Sequence, residues 1–528
     1  MVSQGGVHIW SPLNFSERKV LIFGIDGATW KVLKPAVDDG FMPSLKGLME
    51  SGSWGVLRST LPAITPAAWT SFQTGSNPAR NGIVDFSHWD REQKTLQPVD
   101  IRGIPETLWE RAGNEGRRVG IVNLPMTYPP KPVNGFMVTG LMTPSLQSEF
   151  TYPASLAQRL LRAVPEYSMF HLETAVTESD RESLSAFLDW ISSVVVNRGR
   201  AACWLLQEEP VDMLMVHFQA SDVLQHVLWH YLDSDHPLFD RAKNVDIVRR
   251  FFGTLDKQIE AIGHSFGRHA SNPWLTAVVS DHGFQCHGRR FNLWRWLQDN
   301  GFLKLDLTAS TEPPVDWKAS RAISTGRSNE AFIYLLESED DSRQATAERL
   351  VEMLMSLCDP DTGERVISAV HPLETFDSGH ETRSLPDLVV EPQGHYSVTG
   401  LYERNEETWS TVVPGSDFHA GRHHPDGIFV LTGPGIMPRS DLEIDLIDIA
   451  PTLLSYLGVH PGNEMDGRVR HELFQEGILL SDNGDSRQAG GSPAAGSADE
   501  KVDHIEGEVY TPAEKEIIER RLKDLGYL

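Results

Sequence analysis

The chain has 528 residues, long enough to bury a large core and to carry a further domain inserted within it. Its formal net charge of −26 argues against a nucleic-acid backbone as partner, although an acidic protein still takes anionic esters where bound cations set the local field. Cys203, Cys286 and Cys358 are scattered and odd in number, so no disulfide framework is implied, and no apolar run reaches the length of a membrane span.

Residues 1–16 read as a loose lead-in without the long apolar stretch of a secretory signal, so a soluble cytoplasmic protein is expected. A region alternating strand-like and helix-like segments follows over 17–300. Lys19–Gly27 is a short apolar run ending in Asp26-Gly27, which predicts a buried strand delivering a carboxylate at its carboxyl end. Leu61–Gly75 contains Thr65-Pro66, which reads as helix cap and first turn, with Gly75 as the stop. Val211–Phe218 predicts another strand. Asp222 and His226 come next, four residues apart and so on one face of a helix. Leu275–Gly283 repeats the strand-then-acid design with adjacent Asp281 and His282.

From 301 to 410 the character changes. Polar connections such as Glu337–Ser342 and a helix-like run through Ala345–Leu357 predict an inserted cap of mixed α/β structure. The core resumes over 411–475, where His423 sits in Gly421–Gly427, just before the strand-like Ile428–Thr432. Residues 476–508 are rich in Gly, Ser, Asp and Ala and read as a disordered linker. A short amphipathic helix is expected over 509–528. Thr511-Pro-Ala-Glu514 forms its capping box, and Ile517, Ile518, Leu522 and Leu525 its apolar stripe. There is no Walker A loop and no Gly-x-Gly-x-x-Gly.

Each of these signals has an ordinary reading. An aspartate at a strand end is often a turn or helix cap, Thr-Pro is usually a helix start, and an acid four residues before a histidine describes many surface pairs. Their conjunction is what points to chemistry. Ligand sites of open α/β sheets gather outside the carboxyl ends of strands, so three acid-bearing segments converge on one place. A threonine at a helix start meets free N–H groups and a positive dipole end, which suits a phosphoryl group, and metal coordination makes its hydroxyl a nucleophile. His423 does not follow the strand-end rule, and spacing alone does not select it.

The matching segments resemble the type I phosphodiesterase/nucleotide pyrophosphatase branch of the alkaline phosphatase superfamily, more narrowly its phosphohydrolase/phosphomutase group. They are Val20–Gly27, Ile64–Ile83, Asn123–Pro130, Asp222–His226 running into Trp229 and Asp235–Pro237, Ser280–Phe284, Gly421–Gly435, and Asp448–Leu454 followed by Met465–Gly467. The resemblance implies an α/β fold, alkaline-phosphatase-like, with a largely parallel sheet flanked by helices and a smaller inserted cap. It implies that Asp26, Thr65, Asp281 and His282 hold one divalent metal ion and that Asp222, His226 and His423 hold the other, with Thr65 as nucleophile. His423 is chosen over His419 and His424 because it keeps the family's register before Pro-Asp-Gly. The sequence departs from the nucleotide pyrophosphatases at Ala68, where they carry an asparagine three residues after the nucleophile, which argues against that assignment; it departs from the group at Asn81, where a histidine is common, and at His424, where an arginine is common, and neither of these is an expected ligand.

Donor sets of His and Asp without Cys suit Zn2+ or Mn2+, and the resemblance favours Zn2+. The expected function is hydrolysis of small-molecule phosphate esters, phosphodiesterase-type, through a covalent phosphothreonine. A phosphomonoesterase or phosphomutase would use the same residues, and a non-catalytic binding module is the alternative outside enzymes. Oligomeric state and native substrate are not readable.

Overall fold

The computed structural model describes residues 14–168, 181–306, 308, 313–327, 329–337, 339–372, 385–402, 407–413, 420–481 and 509–525. Residues 1–13, His419, and 482–508, most of the expected linker, lie outside this set.

A nine-stranded sheet forms the centre. Its order is Arg439–Asp445, Ser53–Arg58, Asp426–Thr432, Leu275–Val279, Val20–Ile25, Met213–Phe218, Val119–Val122, Gly135–Val138 and Thr151–Tyr152. The five strands from Leu275–Val279 to Gly135–Val138 run parallel. Thr151–Tyr152 and Asp426–Thr432 are antiparallel to their neighbours. The fold is therefore α/β with a largely parallel sheet flanked by helices.

Both faces of the sheet are covered, which is why its central strands are apolar throughout rather than alternating. Side chains still alternate between faces. Leu21, Phe23 and Ile25 enter a cluster with the helices Arg181–Glu208 and Gly253–Gly267, while Val20 and Ile22 enter another with Trp69, Phe72 and Leu453. Each fully buried aliphatic or aromatic side chain contributes about 1.5–3 kcal/mol relative to exposure.

A third apolar cluster belongs to a four-stranded antiparallel sheet of Ala322–Thr325, Ala331–Leu335, Leu388–Pro392 and Ile367–Pro372, with the helix Asp340–Met355. This cluster also takes in Phe291 and Leu297 from before residue 301, and Ile64 and Ala67 from the segment carrying Thr65. A three-stranded sheet ties Arg289–Asn292 to Tyr396–Thr399 and Trp409–Thr411. Residues of the 301–410 segment thus pack directly against the surroundings of Thr65.

The helix Thr65–Thr74 begins one residue earlier than the Thr-Pro signal suggests. Ile64 takes the extended cap position, Thr65 is the first helical residue, and Gly75 ends the helix at φ 63°. At the other end of the chain the helix Pro512–Asp524 has the capping box, with Glu514 Oε2 accepting from Thr511 N at 2.9 Å. Ile518, Leu522 and Leu525 are buried in the main core, and Ile517 is half-buried.

Asp85 lies where the core meets the cap. Burial pushes its carboxyl up to about 7, with the Glu330 carboxylate adding to the effect and the Phe86 N–H opposing it. In the unfolded chain an aspartate ionises near 4. Between these two values unfolding releases a proton, so stability falls as pH rises from about 4 to about 7 and then levels off. Asp85→Asn keeps the acceptor for Phe86 N–H and removes the titration. Urea unfolding at pH 5 and pH 8 should show that the wild type loses about 2.5 kcal/mol more than the variant over this interval.

Candidate metal centre

The polypeptide is led to one point by three neighbouring parallel strands. Asp26 follows Val20–Ile25 and stays tied to the next strand, its N–H donating to Phe218 O at 3.1 Å. Asp281 and His282 follow Leu275–Val279. Asp222 and His226 lie on the helix Ala220–Leu232, which starts just past Met213–Phe218. His423 arrives differently. The strand Gly421–His424 pairs antiparallel with Gly283–Cys286 and sets His423 opposite Phe284, two residues after His282. Alternation along that strand turns His424 away, where its Nδ1 accepts from Asp426 N at 3.1 Å.

The six acids and histidines form two groups, Asp26, Asp281 and His282 in one and Asp222, His226 and His423 in the other. Within each, candidate ligand atoms lie within 4.8 Å of one another. Every one of these side chains is at most 1% exposed. The His282 and His423 rings stack with centroids 3.6 Å apart, so the two groups share a wall. Thr65 Oγ, fully buried at the start of its helix, lies 3.4 Å from His282 Nε2. The structure therefore brings together all seven residues picked out from the sequence.

The protonation pattern of the histidines follows from their outer partners. Nδ1 of His226 faces Gly421 O at 2.9 Å, Nδ1 of His423 faces Ala63 O at 3.2 Å, and Nδ1 of His282 faces Gly283 O at 3.2 Å. A carbonyl only accepts, so each Nδ1 carries the hydrogen and each Nε2 turns its lone pair inward. His226 Nε2 and His423 Nε2 then meet at 3.0 Å, and Asp222 Oδ1 lies 3.4 and 3.2 Å from them. His282 Nε2 sits 3.2 Å from Asp281 Oδ2 and 3.7 Å from Asp26 Oδ1. Asp26 Oδ1 and Asp281 Oδ2 accept no hydrogen bond.

Acceptor atoms converge here, with the Thr65 hydroxyl beside His282 Nε2. Burial, then Asp281 and Asp222, hold the Asp26 carboxyl well above its ordinary range, and burial likewise raises Asp281. Burial alone would also raise Asp222, but His226, His423 and His282 more than offset it and draw it down. Burial and the neighbouring His282 push His423 down to about 3, so a proton on His423 does not supply the missing positive charge. The donor set fits cations: imidazole Nε2 atoms with their Nδ1–H groups anchored on carbonyls, plus carboxylate oxygens left open.

Other contacts fix the ligand groups in place. Asp26 Oδ2 accepts from Trp69 Nε1 at 3.2 Å and from His217 Nε2 at 3.0 Å, leaving Oδ1 for the site. Gly27 N donates to Asp281 Oδ1 at 3.0 Å. Gly27 itself stands at φ +66°, where a Cβ would meet the Phe284 ring at 2.5 Å, so the turn after Asp26 admits only glycine. Ser221 Oγ donates to Asp26 O at 2.6 Å, and Gln225 Nε2 to Gly27 O at 2.8 Å. Trp69 reads in sequence as a core or wall residue, and His217 as either structural or a support behind the ligands. Only the register that sets His217 opposite Gly24, and the angle of the Thr65 helix, show that both orient Asp26.

The fold class defined by this sheet and centre is that of the alkaline phosphatases. A family model described as type I phosphodiesterase / nucleotide pyrophosphatase matches residues 20–426, and the chain belongs to that family. Members of the family use divalent metal ions and are phosphoric ester hydrolases, so this chain is an enzyme of that kind. No curated protein sequence matches the chain. Among solved structures, phosphonoacetate hydrolase from Sinorhizobium meliloti 1021 in complex with phosphonoformate is similar at 16% identity and TM-score 0.53, covering 83% of this chain and 95% of that one. Murine ectonucleotide pyrophosphatase/phosphodiesterase 5, an inactive form in complex with AMP, is similar at 13% identity and TM-score 0.50, covering 87% and 100%. The human counterpart is similar at 15% identity and TM-score 0.50, covering 88% and 100%. At these identities the likeness is one of fold. Among the described residues no helix is long and apolar enough to cross a membrane.

Trp69→Phe keeps the ring and removes the indole N–H that steadies Asp26. The expected outcome is about a 10- to 100-fold weaker affinity for a divalent ion, together with the loss of stability that the smaller ring's cavity brings. Competition with a chromogenic chelator measures it.

Proposed function

We propose that the protein hydrolyses small-molecule phosphate esters by a two-step displacement at Thr65, phosphodiesters foremost. Asp26, Thr65, Asp281 and His282 would hold one divalent ion, and Asp222, His226 and His423 a second. The observation that carries this reading is the Thr65 hydroxyl at a helix start, 3.4 Å from His282 Nε2, whose ring stacks on His423 of the other ligand group. Two ions held there lower the pKa of the threonine hydroxyl and of water and neutralise charge on the transferring phosphoryl group. Imidazole-rich sets without thiolate suit Zn2+, with Mn2+ as the alternative.

The side chains then have distinct tasks. Thr65 Oγ attacks phosphorus in line, forming a P–O bond as the bond to the ester oxygen breaks, and the alcohol departs with a proton. Water next attacks the same phosphorus from the side the alcohol left, and Thr65 Oγ departs with its hydrogen restored. Two in-line displacements leave the configuration at phosphorus unchanged. The helix that Thr65 opens directs its positive dipole end towards the phosphoryl oxygens. Trp69 and His217 keep Asp26 Oδ1 turned into the site. Burial of the whole group keeps water from competing with Thr65 for the first step.

Thr65→Ala removes the nucleophile and only one oxygen donor. Turnover of bis(4-nitrophenyl) phosphate should fall by at least about 1000-fold while fold and bound metal are largely retained, and Thr65→Ser should keep measurable activity. Near-wild-type rates in Thr65→Ala would sink the covalent route.

A further inference from the structure

The C-terminal helix returns to the end of the sheet, beyond the carboxyl ends of the parallel strands, that carries the site. The helix Pro512–Asp524 packs on the loops that follow the strands Val119–Val122 and Gly135–Val138. Tyr510, 4% exposed, stacks on Tyr128 with ring centroids 5.6 Å apart. Arg521, 6% exposed, donates from one amino group to Thr143 O and from the other to Pro144 O at 2.7 Å. Ser148 Oγ donates to Glu514 Oε1 at 3.1 Å.

Those loops are unusual in backbone and in reach. Of five non-glycine residues with positive φ among the described residues, three lie in them: Asn123, Met126 and Met142. Such conformations persist where surrounding contacts over-determine them. The same loops touch the machinery around Thr65. Gln73 Nε2, on the Thr65 helix, donates to Met126 O at 3.4 Å. Tyr167 Oη donates to Asn123 Oδ1 at 2.8 Å, and Tyr167 lies beside the buried Arg198. Arg198 Nη1 in turn donates to His217 O at 3.1 Å, and His217 orients Asp26.

We propose that the C-terminal helix is a positioning element of the catalytic centre. Arg521 and Tyr510 clamp the loops at 123–128 and 139–148, and those loops set the Thr65 helix through Gln73 and Asp26 through Tyr167, Arg198 and His217. This rests on the function proposed above. The clamp fixes two backbone carbonyls with one planar guanidinium, which ordinary apolar packing of a helix does not require. The charge is kept at a cost in solvation, since burial pulls the Arg521 guanidinium down to about 10. A helix serving only to cover apolar surface would place that arginine in water.

The test uses the full chain with its metal. Arg521→Ala should lower kcat for bis(4-nitrophenyl) phosphate by about tenfold or more with little change in KM, because small misplacements of reacting groups far from the chemistry cost rate. Metal stoichiometry and the main thermal transition should stay as in wild type, and hydrogen exchange should rise at 123–128 as well as at 509–525. Arg521→Lys, which still reaches a carbonyl, should stay within about threefold of wild type. If exchange rises at 509–525 while kcat is unchanged, the helix only packs and the proposal is wrong. A fall in kcat that comes with metal loss and a lower main transition equally overturns it, because the helix then holds the fold rather than the loops. Thr65→Ala, assayed alongside, separates the two claims: an active Thr65→Ala sinks the reading of the centre, whereas an inactive one beside an unimpaired Arg521→Ala sinks only the clamp.

Discussion

Repulsion among buried acceptor atoms is the constraint on which the centre turns. Asp26, Asp222 and Asp281 are each at most 1% exposed and lie in one cluster with three imidazoles whose lone pairs face inward. A carboxylate without a donor or counter-charge in such a place is costly, and the raised Asp26 and Asp281 express that cost. The fold tolerates the cluster because rigid elements hold each group on its far side. Trp69 and His217 grip Asp26, Gly27 N grips Asp281, and backbone carbonyls grip the three Nδ1 atoms. What is left open is a set of oxygens and nitrogens that fits cations and nothing neutral.

The same logic accounts for the sheet. Parallel neighbours Leu275–Val279, Val20–Ile25 and Met213–Phe218 end in line, so acids that directly follow them meet without long loops. The antiparallel strand Asp426–Thr432 enters beside Leu275–Val279, and the ribbon before it carries His423 over the top. The 301–410 segment then shares an apolar cluster with Ile64 and Ala67, which flank Thr65.

Much of this was legible in the residues. Asp26 and Asp281–His282 announce themselves as polar groups closing apolar, β-branched runs, and Asp222 with His226 shows helical spacing. Local pattern suffices there because the strand delivers the ligand directly. His423 was reached only through a family resemblance. Its place depends on antiparallel pairing between segments far apart in sequence, and no local periodicity encodes that register. Trp69 reads as a core or wall residue, and His217 as structural or supporting with no partner assigned, for the same reason: their contact with Asp26 exists only after the helix packs and the strands register. The Thr65 helix start was displaced by one residue because Thr-Pro fits both the cap and the first turn.

Calorimetric titration of metal-stripped protein with Zn2+ tests the central claim most directly. The account predicts about two equivalents in the wild type, and about one in either Asp222→Ala or Asp281→Ala, each variant losing a different ion. A wild-type protein that takes up fewer than two, or both variants retaining two, would contradict it.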